Sequence, residues 1–266
     1  HHKFHVRMRA SITPTLRPSG ETGDVSTQTP PPLAGVFGGG GLFGIGYALG
    51  VIEGLRERGI DLHGCPMLGT SAGAWAAAAT ALQVSYMDLA ELEVPTFPNP
   101  RAGVLAASAR AAFGDATDSC VRVVVTEVPR LRRTVLSGAD TPLADLVAAS
   151  AAVPGLLAPH RINGRRYVDG GVRSGVSVDL ADAAERLVII APLAGAMFGP
   201  FGRFVERRTD AEQHTWSETH SGTFIEFSPR AVTAGIASRP QHLFDKARAL
   251  EAYFCGLDEA RQRAIE

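Results

Sequence analysis

The chain has 266 residues, a formal net charge of −1 and a hydrophobic fraction of 45%. This length and apolar content predict one sizeable core and therefore a single globular domain. The nearly balanced charge argues against nucleic acid as a partner, because nucleic-acid-binding surfaces need an excess of Lys and Arg. The three cysteines, Cys65, Cys120 and Cys255, have no CxxC spacing. We interpret them as buried free thiols and expect neither a disulfide framework nor a zinc site.

The first residues differ in composition from the rest of the chain. Residues 1–31 are rich in Thr, Ser, Pro and Gly, and the HHKFH at their start resembles a tag remnant. Because this composition buries little apolar surface, we predict a flexible N-terminal arm over 1–31 and a folded domain over 32–266. The apolar segment typical of a secretory signal is not seen in this region.

The longest uncharged, mostly apolar run covers residues 187–202. A membrane-spanning helix needs about 20 such residues, and this run is also interrupted by prolines and glycines. We therefore predict a buried strand followed by a loop. A cytoplasmic or membrane-peripheral location is expected for the protein.

Strands and helices are predicted to alternate along the chain. Strands are expected at residues 33–37, 65–68, 121–126, 166–168, 187–191 and 224–227. Helices are expected at residues 44–58, 74–82, 141–152 and 243–253, the third with Thr141 as N-cap and Pro142 at its first position. Residues 85–118 are expected to be helical or irregular and to cover a site. The alternation predicts an α/β fold around a mainly parallel sheet.

The second predicted strand leads into Gly69-Thr70-Ser71-Ala72-Gly73, which has the G-x-S-x-G pattern of a nucleophile elbow. Small residues at both ends of a tight turn lift the serine clear of the backbone. The helix N-terminus that follows favours developing negative charge. The pattern alone is weak, and an ordinary strand-to-helix turn is the alternative. Because the flanking strand and helix are both predicted, we interpret Ser71 as a candidate nucleophile.

The glycine run 38–44 is the second signal. Consecutive glycines expose backbone N–H groups that can hold the oxyanion of an acyl-transfer intermediate. The same run also matches G-x-G-x-x-G through Gly39, Gly41 and Gly44, with Asp61 about 20 residues further on, as in dinucleotide-binding folds. A nucleotide-binding module is therefore an alternative. The next strand–turn–helix unit contains the serine elbow, which an acyl-transfer enzyme requires and a nucleotide-binding fold does not. The elbow therefore favours acyl transfer.

Asp169 follows a predicted strand and precedes two glycines, which allow close approach to another turn. A solvated turn aspartate is the usual alternative. A Ser-His-Asp triad would require a late histidine such as His214, His220 or His242. Since the elbow follows only the second predicted strand, unlike in α/β-hydrolases, we interpret these histidines as ordinary polar residues. No metal-ligand spacing is seen, so neither a metal nor a cofactor is expected.

Taken together, these motifs resemble the patatin-like phospholipase family. The match consists of the glycine loop 39–44, the elbow, Asp169-Gly170-Gly171, and residues 149–154, which are similar to the family's Ala-Ser-x-x-x-Pro segment. The resemblance covers residues 33–191 approximately. It implies a three-layer α/β/α sandwich and a Ser71–Asp169 catalytic dyad.

The resemblance also implies an oxyanion hole, which we assign to the N–H groups of Gly39, Gly40, Gly41 and Ala72. The implied activity is acyl-ester hydrolysis of the phospholipase A or lysophospholipase type, on phospholipids or neutral lipids. The predicted reaction passes through an acyl-serine, with Asp169 as base and no cofactor. A relative that binds lipid without catalysis is a further alternative.

Two positions depart from the family pattern. Phe43 stands where members usually have Arg or Lys, and Arg173 lies in a segment that often contains Asn and Pro. We interpret Arg173 as a surface residue. Aromatic residues on predicted loops, among them Phe97, Phe198, Phe201 and Phe204, are expected to contact acyl chains or a bilayer, with plain packing as the alternative.

Overall fold

The structure is a computed structural model, and it describes residues 29–264. The predicted flexible arm falls almost wholly on residues 1–28, outside the described residues, and stays a prediction. The described chain forms eight strands: β1 (Leu33–Phe37), β2 (Met67–Thr70), β3 (Val121–Val128), β4 (Arg132–Ser137), β5 (His160–Ile162), β6 (Arg165–Asp169), β7 (Arg186–Ile190) and β8 (Thr223–Phe227). It also forms eight α-helices: α1 (Gly41–Glu57), α2 (Ala72–Leu82), α3 (Tyr86–Glu91), α4 (Val104–Phe113), α5 (Leu143–Ser150), α6 (Pro200–Ser217), α7 (Ala231–Ile236) and α8 (Lys246–Gln262).

All eight strands belong to one sheet, in the order β5-β6-β3-β2-β1-β7-β8, with β4 paired to β3. Strands β3, β2, β1, β7 and β8 run parallel to one another. Strands β4 and β6 are antiparallel to β3, and β5 is antiparallel to β6. The central part of the sheet is therefore parallel, as predicted, and one end is antiparallel.

Alternate residues of the central strands point to opposite faces of the sheet. On one face, Phe37 and Ile190 pack with residues of α1, α2, α5 and α8. On the other face, Val36 and Ile189 pack in a second cluster that contains Trp216 of α6. Because both faces are covered, these strands are continuous apolar runs. The predicted three-layer α/β/α sandwich is confirmed.

Helix α6 begins at Pro200, inside the stretch that was predicted to be a loop. Proline is favourable at the start of a helix, because an N–H at that position would have no partner within the helix. The helix is mostly polar and buries only a narrow stripe that includes Val205, Thr209 and Trp216. Such a stripe produces little apolar periodicity in the sequence, which explains why α6 was not predicted.

Other differences are local. Helix α5 begins at Leu143 with Pro142 as its N-cap residue, so the prediction of Thr141 in that role is wrong. Strands β4 and β5 lie outside the predicted strands. All three cysteines are free, as predicted, but each is partly exposed and not buried. No helix among the described residues is long and apolar enough to cross a membrane.

Candidate active site

Ser71 lies in the sharp turn between β2 and α2, with φ 56° and ψ −115°. A non-glycine residue in such a conformation costs on the order of 1–3 kcal/mol and persists only where its surroundings hold it. A Cβ on Gly69 would lie 2.5 Å from the Cα of Ala74, and one on Gly73 would overlap the carbonyl of Phe37. Both glycines of the G-x-S-x-G pattern are therefore required for the turn to close.

The register of β3 explains why Ser71 and Asp169 meet. Thr70, the last residue of β2, pairs with Val124 of β3, and Asp169, the last residue of β6, pairs with Val125. Strand β4 pairs with both of these β3 residues from the other edge. It follows that β2 and β6 run head to head along one edge of β3. Their carboxyl ends, which carry Ser71 and Asp169, are adjacent.

The Asp169 carboxylate is buried, with 5% of the residue exposed. Burial raises its pKa from the usual 3.8 to about 6, while hydrogen bonding from Ser71 and from the Gly171 N–H lowers it in part. The Gly171 N–H donates to Oδ1 at 2.6 Å. The carboxylate is thus held near the serine hydroxyl with its proton affinity raised.

The predicted oxyanion residues divide into two groups. The Gly39 N–H donates to the carbonyl of Gly175 at 2.9 Å, so it anchors the glycine loop. In the described part of the chain, the N–H groups of Gly40, Gly41 and Ala72 have no acceptor. Gly41 and Ala72 are the first residues of α1 and α2, where helix N–H groups have no partner within the helix. Three of the four predicted donors are therefore unpaired.

A cavity of about 550 Å³, here called the main cavity, opens in front of these groups. Its lining contains Ser71, Asp169 and the glycine loop, together with Arg173 and the α6 residues Phe201, Phe204 and Arg208. Arg173, interpreted from the sequence as a surface residue, is exposed and also lines this cavity. It forms no ion pair with the described residues.

Phe43, at the position where the resembled family usually has Arg or Lys, does not line the main cavity. It is fully buried and stacks on Tyr47 with ring centroids 6.4 Å apart. The substitution therefore adds to the core between the sheet and α1. The cationic groups of the site come instead from the loop after Asp169 and from α6.

The sequence motifs did not assign roles to two residues that hold the site. Ser150, fully buried, accepts the N–H of Ser71 at 2.9 Å and donates to the carbonyl of Val124 at 2.7 Å. Its segment was recognised as similar to a family motif, but its contact depends on the packing of α5 against the elbow. This contact fixes the backbone of the nucleophile.

Glu212 of α6 is the second such residue. Its buried carboxylate accepts the Ser174 hydroxyl at 2.5 Å and the Val178 N–H at 3.1 Å. These contacts hold the loop whose Gly175 carbonyl accepts the Gly39 N–H. Glu212 therefore supports the oxyanion loop from a distance. No sequence signal indicated it, because α6 was not predicted.

The three late histidines lie outside the site. The His214 side chain is 82% exposed and pairs with Glu218, and His220 stacks on Trp216. His242 Nδ1 lies 3.5 Å from Ser238 Oγ. None of the three lines a cavity that Ser71 also lines. Residues 29–264 contain no cluster of three or more His, Cys, Asp or Glu side chains suited to a metal.

Comparison with protein families matches residues 86–182 to the family described as Patatin-like phospholipase. This range contains Ser150 and Asp169 and begins after Ser71. Uncharacterized NTE family proteins of Mycobacterium tuberculosis and Mycobacterium bovis are 29% identical over 210 residues, which cover 71% of this chain and 56% of theirs. The chain thus spans about half the length of these relatives.

The crystal structure of VipD from Legionella pneumophila is a distant structural match. Its TM-score is 0.41 at 15% identity, over 86% of this chain and 66% of that one. The family match and the mycobacterial relatives confirm the resemblance that the sequence motifs predicted.

Proposed function

We propose that this patatin-like chain hydrolyses acyl esters of lipids, with Ser71 as nucleophile and Asp169 as general base. One observation carries the proposal. The strained turn of Ser71 places its hydroxyl beside a buried carboxylate, in a cavity that unpaired backbone N–H groups also line. A nucleophile, a base and an oxyanion site within reach of one reacting carbon are the requirements of acyl transfer.

In the first half-reaction, Ser71 Oγ attacks the ester carbonyl carbon while its proton passes to Asp169. The carbonyl π electrons move to oxygen, and the N–H groups of Gly40, Gly41 and Ala72 hold the resulting oxyanion. Collapse of this intermediate expels the alcohol, which takes its proton from Asp169. The acyl group remains on Ser71 as an ester.

In the second half-reaction, water attacks the acyl-serine and gives one proton to Asp169. Collapse releases the fatty acid, and Ser71 Oγ regains its proton from the carboxyl group. Asp169 is therefore protonated and deprotonated once in each half. A pKa of about 6 suits both roles, because the group is a stronger base than an ordinary aspartate and still loses its proton readily.

The main cavity favours an ester whose alcohol carries negative charge. Arg173 lines it without an ion pair among the described residues, and Arg208 bonds Glu212 through Nε alone. The guanidinium of Arg208 therefore keeps other N–H donors for a ligand. A phosphate-bearing headgroup matches this arrangement better than an uncharged glyceride does.

The sequence motifs are also compatible with two other functions. A nucleotide-binding module would use the glycine loop without Ser71, and a non-catalytic relative would bind lipid without turnover. The Gly39 N–H argues against the nucleotide module, because it already donates to the carbonyl of Gly175 and is not free to bind a phosphate. The glycine loop also shares its cavity with Ser71 and Asp169.

A lipid-panel assay tests the proposal. The purified protein is incubated with anionic phospholipids, zwitterionic phospholipids and neutral glycerides, and released fatty acid is measured beside a Ser71→Ala variant. We expect release from phospholipids by the unaltered chain and none by the variant. Equal release by both, or nucleotide binding without any release, would reject the proposed function.

A further inference from the structure

Ser71 lies at the junction of two spaces of different character. On one side is the main cavity with its arginines. On the other is a smaller space of about 80 Å³, here called the near chamber, which Ser71 and Ala72 also line. Apart from Ser71 and the indole of Trp75, the side chains around the near chamber are apolar.

The near chamber adjoins a second, mostly apolar space of about 100 Å³, here called the far chamber. The two share Leu42, Ile45, Trp75, Phe97 and Leu105 in their linings. Ser71 is not among the residues that line the far chamber. The order outward from the nucleophile is therefore Ser71, near chamber, far chamber.

The far chamber lies beneath the segment that follows α3. Lys246 Nζ donates to the carbonyl of Leu92 at 2.8 Å, and the Phe97 ring packs against Phe244 with centroids 5.1 Å apart. These contacts hold the segment over the two chambers. Residues 85–118, which the sequence predicts to cover a site, include this segment.

An ester bound at Ser71 must extend in two directions, with the acyl chain on one side of the carbonyl and the alcohol on the other. The arginine-lined main cavity suits a polar alcohol. The two chambers suit a hydrocarbon chain, which gains from leaving water and has no polar group to satisfy. Both directions begin at the same serine, so one substrate can occupy all three spaces.

We infer that the near and far chambers together bind the acyl chain, and that Leu105 and Ser108 of α4 limit its length. The inference rests on the proposed function and adds the chain-length selectivity of the site. Leu105 lines both chambers, whereas Ser108 lines only the far one. The two residues are three apart on α4 and so share one face of the helix.

This arrangement provides a graded test with a matched control. A tryptophan at position 108 fills the far chamber alone, and one at position 105 fills the junction. Ala107 is exposed on the same helix and lines neither chamber, so Ala107→Trp controls for a large residue on α4. Each variant is checked for native folding by its thermal unfolding curve.

Activity is measured with butyryl, octanoyl, dodecanoyl and palmitoyl esters of p-nitrophenol. For Ser108→Trp we expect kcat/KM to fall roughly tenfold or more on the longest chain and to stay unchanged on butyrate. For Leu105→Trp the loss should begin at shorter chains, and Ala107→Trp should match the unaltered protein. Alkyl fluorophosphonates of the same lengths, which react once with the serine, should show the same order in their rates.

Two outcomes would overturn the inference. One is a folded Leu105→Trp protein that retains palmitoyl turnover, and the other is an equal loss on every chain length. If Leu105→Trp does not fold, Leu105→Phe and Ser108→Trp provide the same comparison. A protein that turns over no ester and does not react through Ser71 rejects the proposed function and this inference together. If the variants turn over esters with the same dependence on chain length as the unaltered protein, the inference alone is rejected and the proposed function stands.

Discussion

Ser150 Oγ joins the backbone of the nucleophile to the sheet, because it accepts the Ser71 N–H at 2.9 Å and donates to the Val124 carbonyl at 2.7 Å. The same hydroxyl thus satisfies one buried donor and one buried acceptor. Since Val124 is also the β3 residue that pairs with Thr70, the contact closes a ring around the elbow. The strained conformation of Ser71 is held by this ring and by the close packing of its glycines.

Replacing Ser150 by Ala should lower kcat roughly tenfold to a hundredfold with little change in KM, because the nucleophile is displaced and the substrate contacts remain. The free energy of unfolding should fall by about 1–3 kcal/mol, since two buried polar groups lose their partner. Ester kinetics and urea unfolding measure the two effects. Ser150→Thr, which keeps a hydroxyl, should recover part of kcat. Full activity in the Ala variant would show that Ser150 does not position the nucleophile.

Glu212→Gln should lower the free energy of unfolding by about 1–3 kcal/mol, because the amide has one acceptor oxygen where the carboxylate has two. The carboxylate now accepts bonds from Ser174 and Val178 through different oxygens. Activity should fall as well, since the loop that anchors Gly39 loosens. Glu206→Gln, on the same helix and without a side-chain hydrogen bond among the described residues, is the control. Equal unfolding curves for both variants would contradict this role.

The pH dependence follows from Asp169. As a base it must be ionised, so activity should fall as the pH decreases through about 6, the pKa to which burial raises it. A profile of kcat/KM against pH on a soluble ester measures this. Single Gln variants of His214, His220 and His242 should have the same profile as the unaltered protein. If one of these variants no longer lost activity at low pH, the titration would belong to the replaced histidine.

The same raised pKa makes a prediction about stability. Between about pH 4 and pH 6 the folded chain binds more protons at Asp169 than the unfolded chain, so this group's contribution to stability decreases as the pH rises. Asp169→Asn removes the buried charge. It should therefore raise the free energy of unfolding at pH 7 by up to about 3 kcal/mol, and abolish activity. Denaturant unfolding at pH 4 and pH 7 tests the sign, and a variant less stable than the unaltered protein at pH 7 would contradict it.

Two exposed phenylalanines border the main cavity on α6. Phe201 is 48% exposed and Phe204 is 60% exposed, whereas Phe198, also expected to contact lipid, packs partly buried against the core. Phe201→Ser and Phe204→Ser should each weaken binding to phospholipid vesicles by roughly tenfold, because an apolar side chain no longer enters the bilayer. Turnover of a short soluble ester should change little.

Vesicle co-sedimentation measures this binding. Val232→Ser is the matched control, since Val232 is 83% exposed and does not line the main cavity. Loss of vesicle binding in the control would reject bilayer contact through Phe201 and Phe204. An equal loss of activity on vesicles and on the soluble ester would reject it as well. Phe198→Ser should instead lower thermal stability.

The parts of the site that the sequence predicted are those with a local cause. The elbow at Ser71, the glycine loop and the turn after Asp169 each need small residues at fixed positions, and that requirement is visible in the chain. The order of elements likewise predicted the central parallel strands. By contrast, the Gly39 N–H is paired and those of Gly40 and Gly41 are not, because the carbonyl of Gly175 lies next to Gly39 from another loop. Tertiary contact alone decided that difference.

The unpredicted elements have a similar explanation. Helix α6 is mostly polar and begins among glycines and prolines, so its pattern resembles a loop. Its Glu212 therefore could not be assigned to the site in advance. Strand β5 is three residues long and, among the described strands, pairs only with β6; such a short edge strand has no periodicity to detect.

Covalent labelling of Ser71 tests the central claim most directly. The intact protein is treated with a fluorophosphonate, and the adduct is located by mass spectrometry of its peptides. We predict one adduct, on Ser71, that is absent from Ser71→Ala and forms roughly a thousandfold more slowly in folded Asp169→Asn. An unlabelled Ser71 in the folded protein, or an equal labelling rate in Asp169→Asn, would contradict the Ser71–Asp169 dyad.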